Sequence, residues 1–365
     1  MELTLILLAT LLGFTIVIIS VPPILSVARE KKLFDTNDER KIHTSDIPPL
    51  GGIAIFLGFV LSTIIATDGY SFDSLKYIIA SIILMFFIGL KDDLLNISAR
   101  KKFIVQIFAV VLLVTLGNVQ INHLHGIFGI GLLHPVPGTL ITLFIMLAIV
   151  NAFNLVDGID GLAASLATLA ATVFGIWFFR AGHFQLAVMS FALTGSLAGF
   201  FLFNVFGKKN KLFMGDTGSL VIGLVIATLV IKFNELNAFP SSPFALENAP
   251  AVSFAVVIIP LIDTLRVMTI RIMNKKSPFS PDRNHIHHRL LELFPNHLAV
   301  TAIILAANII FIGITILLGY LNMNVTIHFM LTLFLGIALS FVPSQLVKLK
   351  QSFAPRQELG VANSK

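Results

Sequence analysis

The chain has 365 residues and a net charge of +6, from 25 Lys and Arg against 19 Asp and Glu. Only 12% of its residues are charged, where soluble domains run at about 25%, and 56% are hydrophobic. That excludes a soluble globule, a disordered chain and a nucleic-acid-binding module, so no nucleic acid partner is expected. It reads as an integral membrane protein. The absence of Cys excludes disulfides, a thiolate nucleophile and Cys-ligated metal.

Near-uncharged apolar runs of roughly 14 to 24 residues recur along the chain, most of them near the length that crosses about 30 Å of hydrocarbon. Eleven are expected to span the membrane, with cores at Leu3–Ile24, Leu50–Ala66, Leu75–Leu90, Phe103–Gly117, Gly138–Phe153, Leu162–Phe179, Leu186–Val205, Ser219–Phe233, Ala251–Ile272, Leu298–Leu321 and Val325–Leu346. Each run must satisfy its own backbone in lipid, and unbroken apolarity is a helix signal where a barrel would alternate. The predicted fold is therefore all-α, a polytopic membrane helical bundle. The first run reads as a retained helix, since no basic segment precedes it and it is too long for a signal peptide.

Lys and Arg fall unevenly between the loops. One set holds Arg29, Lys31, Lys32, Arg40 and Lys41, then Lys91 and Arg100 to Lys102, then Lys208, Lys209 and Lys211, then Arg271 to Arg289, and the tail. The other set holds Lys76, Arg180 and Lys232. With an odd number of helices, the positive-inside rule puts the N-terminus outside and the C-terminus in the cytoplasm. The predicted organisation is one transmembrane domain over residues 1–350 with cytoplasmic catalytic loops, followed by a polar tail over 351–365 expected to be disordered. The outer loop from Gln120 to Pro137 reads as a connector, with a short interfacial hairpin as the alternative.

Acidic, His and Gly-rich segments concentrate in or beside the cytoplasmic loops, and ionisable groups near helix ends require a reason. The first loop, KIHTSDIPPLGG, combines Lys41 and His43 with Pro and Gly pairs that force a turn, and such a turn can cradle phosphate or simply start a helix. The second contains Asp92 and Asp93, about 100° apart on a helix, which implies two different jobs or a solvated helix end. In the third, NAFNLVDGIDGLA, a helical course would put Asn154, Asp157 and Asp160 on one face, where oxygen side chains suit a hard cation, a ribose or a pyrophosphate.

The fourth loop carries Asn204, Lys211, Phe213 and Asp216. Asp216 reads equally as an N-cap or as a Mg²⁺ ligand, and Phe213 could stack a base. Asp263 and Arg266, three apart, read as a buried pair that lowers the cost of insertion. The fifth loop holds Arg283, His285, His287 and His288. Three His could bind zinc, but flanking Arg favours contacts to phosphate or sugar.

Taken in order, KIHTSDIPPLGG, GLKDD, NAFNLVDGIDGLA, FMGDTGS and DRNHIHHRL resemble the polyprenyl-phosphate N-acetylhexosamine-1-phosphate transferase family of the glycosyltransferase 4 superfamily, from Lys41 to Arg289. The HIHH after Asp-Arg is similar to the WecA/TagO-like branch rather than to MraY. The resemblance implies transfer of a sugar 1-phosphate, GlcNAc 1-phosphate in the first instance, from a UDP-N-acetylhexosamine to undecaprenyl phosphate. UMP is released with Mg²⁺ or Mn²⁺ as cofactor, in the priming step of cell-envelope polysaccharide synthesis. It further implies a multi-pass protein of the bacterial inner membrane, in contact with membrane lipid, with its active site facing the cytoplasm and a homodimer as the assembly.

By carry-over from the family, Asp216 is the metal ligand, Asp92 and Asp93 form the catalytic acidic pair, and Lys41 contacts the phosphates. Asn154, Asp157 and Asp160 carry nucleotide or catalytic contacts, and Asp157 and Asp160 are counted with the catalytic group. Asn204 and Phe213 serve the uridine, and His285, His287, His288 and Arg283 the pyrophosphate or sugar, with His43 among the substrate-binding residues. The rival from chemistry alone is a secondary transporter with an acidic coupling site, although its acids should lie near the midplane. An intramembrane aspartic protease is the weaker rival.

Overall fold

The computed structural model describes residues 1–33, 47–67, 74–238, 243–277 and 284–353. Lys41, His43 and Arg283 lie outside them, as does the tail from residue 354 onward. The described residues form thirteen α-helices and no strand, which bears out the all-α class. They are α1 (Glu2–Glu30), α2 (Gly51–Ala66), α3 (Leu75–Leu95), α4 (Ala99–Thr115), α5 (Pro135–Val156), α6 (Leu162–Arg180), α7 (Phe184–Val205), α8 (Gly215–Asn237), α9 (Ala249–Val256), α10 (Ile258–Met273), α11 (Ile286–Leu291), α12 (His297–Gly319) and α13 (Val325–Phe353).

Every apolar run of the sequence is helical, yet the helices do not all meet the requirement for a crossing. Seven are long and apolar enough by themselves: α1, α5, α6, α7, α8, α12 and α13. The run expected as one ninth span is instead α9 and α10, bent by 75° at Val257, and counting that pair once makes eight. α2 has 16 residues, which at about 1.5 Å per residue falls short of the hydrocarbon thickness. α3 and α4 carry Lys91, Asp92 and Asp93, and Arg100 to Lys102, within their facing ends. α13 runs through Gln351 and Ser352 to Phe353, into the segment expected to be tail. The outer loop is a short hairpin rather than a plain connector, closed by a bridge between His123 and Leu132 around a 3₁₀ turn at Ile127–Gly129.

α8 is the axis of the bundle. Its sequence is apolar all round, as a helix with no solvent or lipid face must be, and Thr217 to Ile231 are buried without interruption. The outer helices show the complement: Phe87, Phe108, Phe144 and Phe334 are exposed on surfaces suited to lipid. Two glycines let α8 come close to its neighbours. A Cβ on Gly52 of α2 would lie 2.1 Å from the Gly218 nitrogen, and one on Gly89 of α3 would lie 2.5 Å from Thr217 Cα. These approaches set the ends of α2 and α3 directly against the N-terminus of α8, and the acidic residues therefore meet.

Candidate active site

The described end of loop one, from Pro48 to Gly52, is laid onto loop four by backbone pairing. Phe213 N–H donates to Pro48 at 3.0 Å, Gly51 N–H to the Phe213 carbonyl at 2.9 Å and Gly52 N–H to Met214 at 2.8 Å. Gly215 follows at φ +72°, a left-handed conformation that costs a β-carbon dearly, and α8 begins there. Asp93 completes this start from another helix. Its Oδ1 accepts the Asp216 N–H at 2.7 Å, while Oδ2 accepts the Thr217 N–H at 2.9 Å and the Thr217 hydroxyl at 2.5 Å. A carboxylate on the exposed N–H groups of a helix start is favoured by both hydrogen bonding and the helix dipole.

Asp92, one position earlier, points elsewhere, as the 100° offset requires. It is 8% exposed and accepts Ile97 N–H at 2.7 Å on Oδ1 and the Lys102 ammonium at 2.9 Å on Oδ2. The same ammonium lies 3.0 Å from Asp216 Oδ1. Asp216 also accepts a hydrogen bond from the Asn154 amide, which in turn donates to Ser219 Oγ at 2.9 Å. Asp92, Asp93, Asn154 and Asp216, from three helices, thus form one cluster at one end of the bundle.

The third loop departs from the expected helical course. α5 ends at Val156, Asp157 adopts φ −76° and ψ 53°, and a turn follows to Gly161. Asn154, Asp157 and Asp160 therefore do not share a helical face. Burial lifts the Asp157 carboxyl to about 7, with the carboxylates of Asp216, Asp93 and Asp160 adding repulsion. Asp160 turns the other way: its Oδ2 meets Lys211 at 2.6 Å and His297 at 3.1 Å, and its carbonyl accepts the Thr301 hydroxyl at 3.0 Å. It ties loops three and four to α12.

Asn204 spends both ends of its amide on the backbone. Oδ1 accepts Gly161 N–H at 2.7 Å and Nδ2 donates to the Leu212 carbonyl at 3.0 Å, so it joins the same two loops and leaves little for a uridine. Phe213, by contrast, is 39% exposed, with the Lys211 ammonium 5.8 Å from its ring centroid.

Asp263 does more than neutralise Arg266. It accepts from Arg266 Nη2 at 3.0 Å, faces His285 Nδ1 at 2.9 Å and accepts Ile286 N–H at 2.9 Å, so it anchors the start of α11. His287, 2% exposed, packs its Nε2 edge on Gly158, next to Asp157, and its Nδ1 has no partner among the described residues. Burial, with His288 beside it, lowers His287 to about 3, so the ring is neutral at pH 7. The His287 and His288 rings are 4.3 Å apart. The fifth loop is thereby brought against the third.

Lys102, Thr217 and Ser219 belong to the site and were not singled out in the sequence. Lys102 sits in a run of basic residues that the positive-inside rule already explains, and no local pattern separates it from Lys101. Among the described residues no three His, Asp or Glu converge as a ready cation cage. The Asp92 and Asp216 oxygens nevertheless surround a cation, the Lys102 ammonium, and hard oxygen donors suit Mg²⁺, which keeps waters and substrate phosphates in its shell.

Residues 75–234 match the model of Glycosyl transferase family 4. The chain is 32% identical to the undecaprenyl-phosphate alpha-N-acetylglucosaminyl 1-phosphate transferase of Yersinia pestis, over 77% of this chain and 76% of that protein. It is 32% identical to the Salmonella typhi protein of the same name, over 79% and 78%. The decaprenyl-phosphate N-acetylglucosaminephosphotransferase of Mycobacterium tuberculosis is 36% identical, over 73% of this chain and 70% of its own length. The matched stretch contains the α3 carboxylates, Asn154, Asp157 and Asp216.

Proposed function

Since the chain belongs to glycosyl transferase family 4, we propose that it transfers N-acetylglucosamine 1-phosphate from UDP-N-acetylglucosamine to undecaprenyl phosphate, releasing UMP. The observation that carries this reading is the convergence of the Asp92 and Asp93 pair, Asn154 and Asp216 at one end of the bundle, in a chain whose relatives are named for this reaction. Membership also sets aside the transporter and protease alternatives. The uneven spread of Lys and Arg between the loops supports a cytoplasmic position for this end, with the N-terminus outside. The bacterial inner membrane as location and a homodimer as assembly are parts of the same proposal.

In the reaction an oxygen of the lipid phosphate attacks the β-phosphorus of the donor. The bond from that phosphorus to the oxygen bridging the α-phosphorus breaks, and UMP leaves with that oxygen. A phosphate monoester has a second pKa near 6, so the acceptor is largely a dianion at pH 7 and needs no strong base. Phosphoryl transfer asks mainly for alignment and neutralisation of charge. Bound Mg²⁺ would neutralise the donor's diphosphate, held by Asp216 and Asp92.

Asp93 fixes the start of α8 and hence Asp216. Asp157, titrating near 7, is suited to take a residual proton from the acceptor. His287, uncharged, offers a hydrogen bond rather than a charge, while Lys41 and Arg283 supply positive charge from segments outside the described residues. Phe213, 39% exposed, offers an aromatic surface for the uracil.

The test is UMP release by the purified protein with UDP-GlcNAc, UDP-GalNAc and UDP-MurNAc-pentapeptide, each with and without undecaprenyl phosphate and Mg²⁺. Release with UDP-GlcNAc that requires both lipid and metal is expected. Lipid-independent release, or none from folded protein, rejects the reading.

A further inference from the structure

Lys102 is the member of the acidic cluster to which the reaction above gives no role. It lies in the first turn of α4 and reaches across to two carboxylates on different helices, Asp92 on α3 and Asp216 on α8, at 2.9 and 3.0 Å. Its side chain is only 16% exposed. Both carboxylates lie within 3.0 Å of that one ammonium, which sets two like charges close together, where they repel unless a cation intervenes. The other donors to this pair, the Ile97 N–H and the Asn154 amide, are neutral. Among the described residues Lys102 is the cation that this pair holds, because Lys211 is taken by Asp160.

We propose that Lys102 is a built-in counter-ion that occupies the cation position shared by Asp92 and Asp216, so that a divalent metal binds there only by displacing it. The freed ammonium then turns to the diphosphate of the donor. An ammonium and a divalent cation seek the same oxygens, and a lysine is a point charge on a four-carbon stem that can swing between partners. In the resting protein this keeps two adjacent carboxylates together without metal. On substrate binding the donor's negative charge offers the ammonium a second partner, and metal and donor favour each other. The inference rests on the reading of this cluster as the metal site.

The experiment is Mn²⁺ titration of the purified full-length protein in detergent, following the electron paramagnetic resonance signal of free Mn²⁺, with the KM for UDP-GlcNAc measured on the same preparations. Asp216→Asn identifies the site, and thermal unfolding verifies each variant. Lys102→Met and Lys102→Gln are expected to bind Mn²⁺ more tightly than wild type, by on the order of tenfold, with a raised donor KM. Lys102→Arg, which keeps the charge, is expected to bind metal as weakly as wild type. A lysine that merely props the fold would not tighten metal while weakening donor. Unchanged or weaker Mn²⁺ binding in both neutral variants overturns the counter-ion role and leaves the metal site standing. Absence, in wild type and variants alike, of any Mn²⁺ binding that Asp216→Asn abolishes overturns it together with the metal site.

Discussion

The carboxylate of Asp93, at the end of α3, accepts the backbone N–H of Asp216 at 2.7 Å, so one acid of the site fixes the helix that presents another. Neighbouring Asp92 does not reach α8's backbone: it accepts the Ile97 N–H and faces Lys102 instead. Asp93→Ala is expected to lower the thermal midpoint in detergent, as loss of a helix cap worth about 1–2 kcal/mol would, and to reduce turnover with it. Asp92→Asn is expected to reduce turnover with a smaller change in midpoint. Loss of activity at an unchanged midpoint in Asp93→Ala would instead put Asp93 in contact with substrate.

Asp216 is held from three sides, by Asn154, Lys102 and the cap from Asp93 to its own N–H. Asp216→Asn keeps the shape and removes the charge. Metal-dependent turnover is expected to fall by about 10² or more, with normal membrane insertion. Turnover near that of wild type would take Asp216 out of the site.

Asp157 supplies a pH signature. Its carboxyl titrates at about 7 in the folded protein, against about 3.9 for a free side chain, so the folded state holds the proton more tightly. The associated stability is fully present below about pH 4 and is lost as pH rises through 7. Asp157→Asn is expected to raise the thermal midpoint relative to wild type at pH 8 and to leave it nearly unchanged at pH 4. An equal shift at both values would show that the carboxyl is not perturbed.

Asn204, at the end of α7, and Phe213, on the loop that follows, are expected to separate cleanly. Asn204→Ala leaves the Gly161 N–H and Leu212 carbonyl without their partner, which costs about 1–3 kcal/mol, and a lower thermal midpoint should report it. Phe213→Ala removes an exposed ring, so the midpoint should hold while the KM for UDP-GlcNAc rises. A normal midpoint with raised KM in Asn204→Ala would return that residue to the nucleotide.

Helix content was legible because lipid forces each apolar run to satisfy its own backbone, and every such run is a helix here. The break at Val257 was not read from the sequence, since apolarity runs on across it; Pro260, which has no N–H to give the Val256 carbonyl, is its local signal. The acids at 92, 93 and 216 could be picked out because charge beside a membrane helix is costly. Their division of labour could not, because Asp93 and Thr217 are far apart in the chain and meet only where Gly89 lets α3 touch α8. Asp160 shows the opposite error: periodicity assumed a helix that ends at Val156, and the turn sends the side chain to Lys211 and His297.

By itself the sequence determined that the protein is a membrane helical bundle, which family it resembles, and which loops carry chemistry, since composition and local motif are properties of contiguous residues. Only the tertiary structure decided which acid caps, which acid pairs with a lysine, and that Lys102 stands between Asp92 and Asp216. These are contacts between α3, α4 and α8, and the direction of a side chain at a helix end depends on packing that no single segment encodes.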